Sequence, residues 1–147
     1  MSRTRSKDYS QNLRRLWAQL WHRPSPSRQL LGARAERAAA RYLKRQGYRI
    51  IARNLRTRLG EIDIVAQHEG WLVVVEVRSR QADAQVTPRD TLTRKKRQKL
   101  IKLTEQLRKQ HRLERLPVRV DLVEVALDER GRVKSCEVLR GLALGER

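Results

Sequence analysis

Two carboxylates interrupt the most sheet-like stretch of the sequence, residues 60–80, which reads GEIDIVAQHEGWLVVVEVRSR. The Glu-Gly pair in its middle predicts a two-residue turn between two antiparallel strands. In the register that this turn sets, Asp63 falls directly opposite Glu76. Strand alternation then places Asp63 on the face opposite to Ile62 and Ile64.

Like charges that oppose each other across a sheet are destabilising unless something positive lies between them. One interpretation is that the acids face solvent at a sheet edge and that neighbouring arginines neutralise them. The other is a divalent cation, Mg²⁺ or Mn²⁺, because both prefer hard oxygen ligands such as carboxylates. Spacing alone leaves these two interpretations even.

The charge of the whole chain favours the metal. Its 147 residues carry a formal net charge of +19, which predicts a polyanionic partner, and nucleic acid is favoured over an anionic membrane face. Residues 1–28 hold seven Lys or Arg and one acid. Residues 87–116 hold eleven Lys or Arg and three acids. A basic frame of this kind would draw a phosphodiester to an acidic site that otherwise repels it.

The same composition excludes several classes of protein. The single cysteine, Cys136, rules out a disulfide framework within the chain and a Cys-rich zinc site, and its alternating surroundings predict a small core residue. No apolar run approaches the roughly 18 residues of a membrane span. The basic N-terminus lacks the apolar region of a signal peptide. We therefore expect a cytoplasmic protein without integral membrane insertion.

The elements that must position the acids follow the order helix, three strands, helix, two strands. Apolar residues at helical spacing predict a first helix over 30–46, which Gly47 ends. A second helix is predicted to open at Thr87-Pro88 and to run to about His111. The strands are predicted over 48–56, 61–67, 71–78, 118–127 and 133–139.

The first 28 residues stand apart as a basic tail. Residues 23–28, RPSPSR, predict a linker, and apolar residues between Leu13 and Trp21 fall on one face of a short helix. That helix would either dock on a partner or an anionic membrane surface, or pack back on its own domain. We divide the chain into this tail, 1–28, and one domain, 29–147.

Several motifs together resemble a known family. Asp63 followed by Glu76-Val77-Arg78 resembles the D…(E)xK signature of the restriction-endonuclease-like superfamily. Between about residues 30 and 139 the chain is further similar to the YraN-like uncharacterised family within it. The motifs that carry this second resemblance are GxxxExxAxxYL from Gly32, GY at 47, NxR at 54, GEID at 60, the helical Lys96 and RVD at 119.

The resemblance implies an α/β fold of restriction-endonuclease type, a mixed β-sheet flanked by helices in the order α-β-β-β-α-β-β. It also implies that Asp63 and Glu76 bind Mg²⁺ or Mn²⁺. Glu36, reaching from the first helix, would be a third acid that binds metal or orients water; residue type alone would leave it as a solvated helix charge. Arg78 takes the place of the catalytic lysine.

Arg78 is the departure from the superfamily pattern. Arginine stays protonated and is a poor general base, although its planar fork can stabilise charge that develops on a phosphate. We therefore expect the metal, rather than this side chain, to activate the attacking water.

Three functions follow as hypotheses. The first is a metal-dependent deoxyribonuclease that cuts branched or single-stranded DNA and holds the backbone through Lys95, Lys96, Lys99, Arg56 and Arg80. The second, motivated by Arg78, is a non-catalytic nucleic-acid-binding protein on a nuclease fold. The third is a protein that docks on a partner or a membrane surface through its tail. A two-fold dimer would supply the two sites that cutting both strands requires.

Overall fold

The computed structural model describes residues 30–57, 60–83 and 93–141. They form two helices and five strands, in the order predicted from the sequence. The predicted tail helix, the linker and the Thr87-Pro88 pair lie outside these residues. The elements are α1 (Leu30–Arg45), β1 (Arg49–Thr57), β2 (Gly60–His68), β3 (Trp71–Gln81), α2 (Arg94–Gln110), β4 (Val118–Leu127) and β5 (Val133–Leu139).

One mixed sheet carries the five strands in the spatial order β1-β2-β3-β4-β5. Neighbouring strands pair antiparallel, except β3 and β4, which pair in parallel. A parallel pair needs a crossover connection, and α2 lies within that connection. The two parallel strands are nearly continuous apolar runs, as expected of strands that are covered on both faces. The predicted α/β class and mixed sheet are confirmed.

Each helix covers its own face of the sheet. Residues of α1 pack with Val73 and Val75 of β3 in one buried cluster, whereas residues of α2 pack with Leu72 and Val74 in another. Because successive strand residues point to opposite faces, the two clusters lie on opposite sides of the sheet. Neither helix in the described part of the chain is long and apolar enough to cross a membrane.

Local sequence fixes the end of α1. Gly47 has a φ of 88°, and the backbone N–H of Tyr48 donates to the Leu43 carbonyl at 3.0 Å while Gly47 donates to Lys44 at 3.2 Å. This pair of bonds is a Schellman motif, which needs a left-handed residue that only glycine adopts without strain. The prediction that Gly47 ends the helix is confirmed.

The start of α2 was predicted wrongly. The helix begins at Arg94, not at Thr87-Pro88, and Thr93 is its N-cap. The Thr93 hydroxyl accepts a hydrogen bond from the Lys96 backbone N–H at 3.2 Å, which satisfies a first-turn donor. A proline in a first turn is an equally good helix opening by sequence, so only the hydrogen bond distinguishes the two starts.

The prediction that Ile62 and Ile64 share a face is also wrong. Ile64 lies in the cluster beneath α1 and Ile62 in the cluster beneath α2. Across from them, Asn54 has a left-handed φ of 53° and falls level with Asp63 in the register of β1 and β2. The regular alternation of the strands is therefore interrupted at Asp63, the first of the two candidate metal ligands.

Candidate active site

The turn between β2 and β3 positions the acid pair. The predicted register is present from His68 opposite Trp71 to Ile64 opposite Val75. Beyond the last pair, the Asp63 carboxylate accepts a hydrogen bond from the Val77 backbone N–H at 2.8 Å. A side-chain oxygen of Asp63 thus reaches the backbone of β3, one residue past Glu76.

The acids do not face solvent at a sheet edge. Strands β2 and β3 are internal, and the exposed fractions are 7% for Asp63, 5% for Glu76 and 3% for Glu36. The interpretation of solvated edge acids is therefore wrong, and so is the expectation, from residue type alone, that Glu36 is a solvated helix charge. Burial of three carboxylates is costly unless nearby charges or a cation compensate for it.

These acids line one cleft of about 320 Å³. Since a water molecule takes up roughly 30 Å³ in the liquid, the cleft has room for an ion, several waters and a phosphate group. Its walls come from both helices as well as from β2 and β3. The charged side chains that line it are Glu36, Glu61, Asp63, Glu76, Arg78 and Lys96.

Two cations contact Glu76 inside this cleft. The Lys96 Nζ lies 2.5 Å and the Arg78 Nε lies 3.4 Å from the same carboxylate oxygen, Oε1. Burial, and then the negative charge of Asp63, raise the pKa of Glu76; Lys96 and Arg78 act in the opposite direction without cancelling the rise. Ionising Glu76 therefore costs more free energy in the folded protein than in an unfolded chain, even with both cations beside it.

We expect Glu76→Gln to stabilise the metal-free protein by about 1 kcal/mol at pH 8. The ionised carboxylate costs free energy in the fold, and the amide removes that cost. As the pH falls through the raised pKa of folded Glu76 and below its ordinary value, the wild-type side chain becomes protonated in both states and the advantage of the variant disappears.

Urea unfolding of both proteins at pH 8 and pH 4, in the presence of a chelator, measures this difference. A Glu76→Gln variant that is less stable than the wild type at pH 8 would show that the ion pair with Lys96 outweighs the burial and repulsion of the acid.

The donor set of the cleft suits a hard divalent cation. Asp63 and Glu76 offer carboxylate oxygens, and burial followed by the negative charge of Asp63 raises the pKa of Glu76. Within residues 30–57, 60–83 and 93–141, no three His, Cys, Asp or Glu side chains converge into a complete ligand set. Two carboxylates, with water and phosphate oxygens as further ligands, are an arrangement that Mg²⁺ commonly has, and Asp63 and Glu76 supply such a pair.

Of the three lysines that were predicted to contact nucleic acid, one lines the cleft and two are exposed on the surface. Lys96, in the first turn of α2, lines the cleft. Lys95 and Lys99 are exposed on the same helix, and the side chain of Lys99 passes over Gly60, where an added Cβ would lie 2.8 Å from the lysine Cε. Helix α2 therefore brings one ammonium group to the acids and leaves others facing solvent.

The two arginines that were predicted to contact nucleic acid, Arg56 and Arg80, form hydrogen bonds and ion pairs within the chain. The Arg56 Nε donates to Glu61 at 2.9 Å. The Arg80 Nε pairs with the buried Glu124, and its Nη1 donates to the carbonyl oxygens of Gln81 and Ala82. Neither arginine lines the cleft.

Sequence reasoning missed a second buried polar cluster, on the α1 face of the sheet. Asp121 accepts two hydrogen bonds from Arg119, at 2.9 Å each, and one from the Tyr48 hydroxyl at 2.8 Å. A further nitrogen contact joins Arg119 to His68 Nδ1 at 2.9 Å, and the His68 ring stacks on Tyr48 with centroids 4.0 Å apart. The available signal was an acid and an arginine inside the apolar strand VRVDLVEVAL.

This cluster joins distant parts of the chain. Tyr48 follows α1, His68 ends β2, and Asp121 lies in β4, where it also accepts from the Gly141 N–H at 2.9 Å. Burial, followed by the hydrogen bond to Asp121 and the charge of that residue, raises the pKa of Tyr48 to about 12. The hydroxyl therefore remains a donor at neutral pH and holds the end of α1 against the sheet.

Comparisons with known proteins match the part of the chain that contains the cleft. The model of the family described as Uncharacterised protein family UPF0102 matches residues 35–125. The chain is 41% identical over 110 residues to a UPF0102 protein of Symbiobacterium thermophilum, an alignment that covers 75% of this chain and 92% of the relative. It is 40% identical over 111 residues to one of Pelotomaculum thermopropionicum, covering 76% and 92%. The family match spans all of the acids and cations that line the cleft, and the recognition from sequence motifs is confirmed.

Proposed function

We propose that this chain, which belongs to the uncharacterised protein family UPF0102, is an endonuclease-like protein that binds nucleic acid and hydrolyses phosphodiester bonds with a divalent metal ion. The description of the family names no reaction, so the proposal rests on the cleft. The observation that carries it is the buried pair of Asp63 and Glu76 within a strongly basic chain.

Each acid has a distinct part in this proposal. Asp63 is oriented by the Val77 N–H, so that one oxygen is fixed against the backbone while the carboxylate remains part of the cleft lining. Glu76 supplies the second anionic ligand, and Glu36 reaches the cleft from α1, where it orients water. A divalent ion bound there would activate water for attack on phosphorus and neutralise charge on the phosphate oxygens.

Arg78 would contact the phosphate rather than accept a proton. Its Nε is buried and makes no hydrogen bond to any described residue, although it lies 3.4 Å from Glu76. A guanidinium in this position retains donors for phosphate oxygens, to which its planar geometry is suited. We assign it to stabilising the negative charge that grows on the phosphate during attack.

Helix α2 would hold the nucleic-acid backbone. It carries eight Lys or Arg residues and one acid over Arg94–Gln110, more positive charge than solubility requires. Contacts of this kind read phosphates and not bases, so the substrate would be recognised by shape, which favours branched or single-stranded DNA. Binding should therefore weaken steeply as salt is raised.

The alternative is a protein that binds nucleic acid without cutting it. Arg78 and Lys96 both pair with Glu76, and two cations on one carboxylate would weaken its hold on a metal. This alternative predicts the same salt-dependent binding, but no cleavage in any metal.

A cleavage panel separates the two functions. Purified full-length chain is incubated with linear duplex, single-stranded, flap and four-way-junction DNA in Mg²⁺, in Mn²⁺ and in EDTA. We expect metal-dependent cuts in the branched or single-stranded substrates and none in EDTA. Tight, salt-sensitive binding without cleavage of any substrate would favour the non-catalytic protein instead.

A further inference from the structure

Lys96 occupies the position in which a metal ion would meet Glu76. Its Nζ lies 2.5 Å from Glu76 Oε1, and the exposed fractions of the two side chains are 37% and 7%. A partly exposed lysine side chain therefore contacts a buried carboxylate inside the cleft. It is the closest cation to Glu76 in the described chain.

The backbone of Lys96 is held in place, whereas its ammonium group can move. Its backbone N–H is fixed by the hydrogen bond to the Thr93 hydroxyl, in the first turn of α2. Its ammonium group sits on a flexible four-carbon stem and can donate in several directions. The helix can therefore keep its place while the charged group moves between neighbouring acceptors.

Glu76 Oε1 cannot bind a divalent ion while it keeps its present close contact with Lys96. A metal ligated by that oxygen at about 2 Å would lie within a few ångströms of Nζ, and two cations at that separation repel each other. Arg78, 3.4 Å from the same oxygen, adds to the repulsion. The ammonium group must then move away from the carboxylate.

We propose that Lys96 is an exchangeable cation, which neutralises Glu76 while the metal is absent and moves to the substrate phosphodiester when a metal takes its place. This inference rests on the proposed function, because it needs both the metal and the phosphate. It differs from a surface contact in that Lys96 contributes to nucleic-acid binding only after the metal has bound.

Exchange of this kind couples the two ligands. Metal binding frees one ammonium group for phosphate, so nucleic acid binds more tightly in the presence of metal. By linkage, bound nucleic acid must then strengthen metal binding by the same factor. The freed Lys96 ammonium group stays paired with a substrate phosphate. This pairing helps to offset its repulsion from the metal ion.

Calorimetric titration of the full chain with Mn²⁺ at pH 8, without nucleic acid, tests the competition directly. We expect Lys96→Met to bind Mn²⁺ about tenfold more tightly than the wild type, because the metal no longer displaces an ion pair. Lys96→Arg keeps the positive charge and should retain the wild-type affinity. Lys102→Met, an exposed lysine on the same helix, is the matched control and should leave the affinity unchanged, whereas Glu76→Gln should abolish binding.

A Lys96→Met protein that binds Mn²⁺ no more tightly than the wild type overturns the inference. If Glu76→Gln nevertheless abolishes binding, the metal site of the proposed function stands without the exchange. If neither the wild type nor any variant binds Mn²⁺, both the exchange and the metal site are refuted.

Junction DNA binding in EDTA and in Ca²⁺ tests the second half of the exchange. With Ca²⁺, Lys96→Gln should lower the slope of log affinity against log salt concentration by about 0.9, the value for one phosphate contact; in EDTA it should leave the slope unchanged. Lys99→Gln should lower the slope equally in both conditions. An equal loss for Lys96→Gln with and without Ca²⁺ would make Lys96 an ordinary surface contact and overturn the inference.

Discussion

Replacing Asp63 by asparagine should lower metal-dependent cleavage about a thousandfold or more while leaving the fold intact. Under the proposed function, an anionic metal ligand would become neutral, and the metal would supply several kcal/mol of transition-state stabilisation. The fold should survive, because the asparagine Oδ1 can still accept the hydrogen bond from Val77 that the carboxylate accepts now. Initial rates of junction cleavage in Mn²⁺ and the melting temperature measure the two effects.

Asp83→Asn is the matched control for this variant. Asp83 is exposed in the turn after β3 and lies outside the cleft, so the same chemical change should leave cleavage unaltered. Cleavage that persists unchanged in Asp63→Asn would point to a contaminating nuclease and would contradict the assignment of this acid.

Asp121→Asn should destabilise the protein by about 3–5 kcal/mol, the usual cost of removing one partner from a buried ion pair. Asp121 is fully buried and both of its oxygens accept hydrogen bonds. An amide nitrogen in place of one oxygen would face the donors of Tyr48 and Arg119, and the buried guanidinium would lose its counter-charge. Urea unfolding at neutral pH measures the change.

A graded variant supports the interpretation of this loss. Tyr48→Phe removes only the hydroxyl that donates to Asp121 and should cost about 1 kcal/mol. The exposed Asp83→Asn should change stability by less than about 0.5 kcal/mol. If Asp121→Asn were no more destabilising than Tyr48→Phe, the cluster would not be a structural centre of the fold.

The parts of the fold that local signals encode were predictable from sequence. The Glu-Gly turn set the β2–β3 register, because a two-residue hairpin admits one pairing, and Gly47 ended α1 because the chain there needs a left-handed residue. The strand order along the chain followed from apolar runs separated by turn residues. Each of these features depends on residues that are close together in sequence.

Features that depend on contacts across the fold were not predictable. The side of the sheet on which Ile62 packs depends on the left-handed Asn54 in the neighbouring strand, a conformation that asparagine tolerates but does not require. Period-two alternation therefore failed at that point. The same irregularity lies level with Asp63, so the place where the pattern failed is part of the candidate site.

The sequence predicted the acidic residues of the candidate site more fully than its basic residues. The hairpin register and the family motifs pointed to Asp63, Glu76 and Glu36, and all three line one cleft. The contact of Lys96 with Glu76 joins α2 to β3 across a crossover connection, and residue spacing carries no information about such a contact. Sequence alone could place Lys96 on a basic helix but not beside the acid.

The most direct test of the central claim is a crystal structure of the full chain grown with Mn²⁺, with data collected at the manganese absorption edge. The proposed site predicts an anomalous peak in the cleft about 2 Å from one oxygen each of Asp63 and Glu76, with the Lys96 ammonium group displaced from Glu76. An empty cleft at saturating Mn²⁺, with Lys96 still paired to Glu76, would contradict a metal-dependent site.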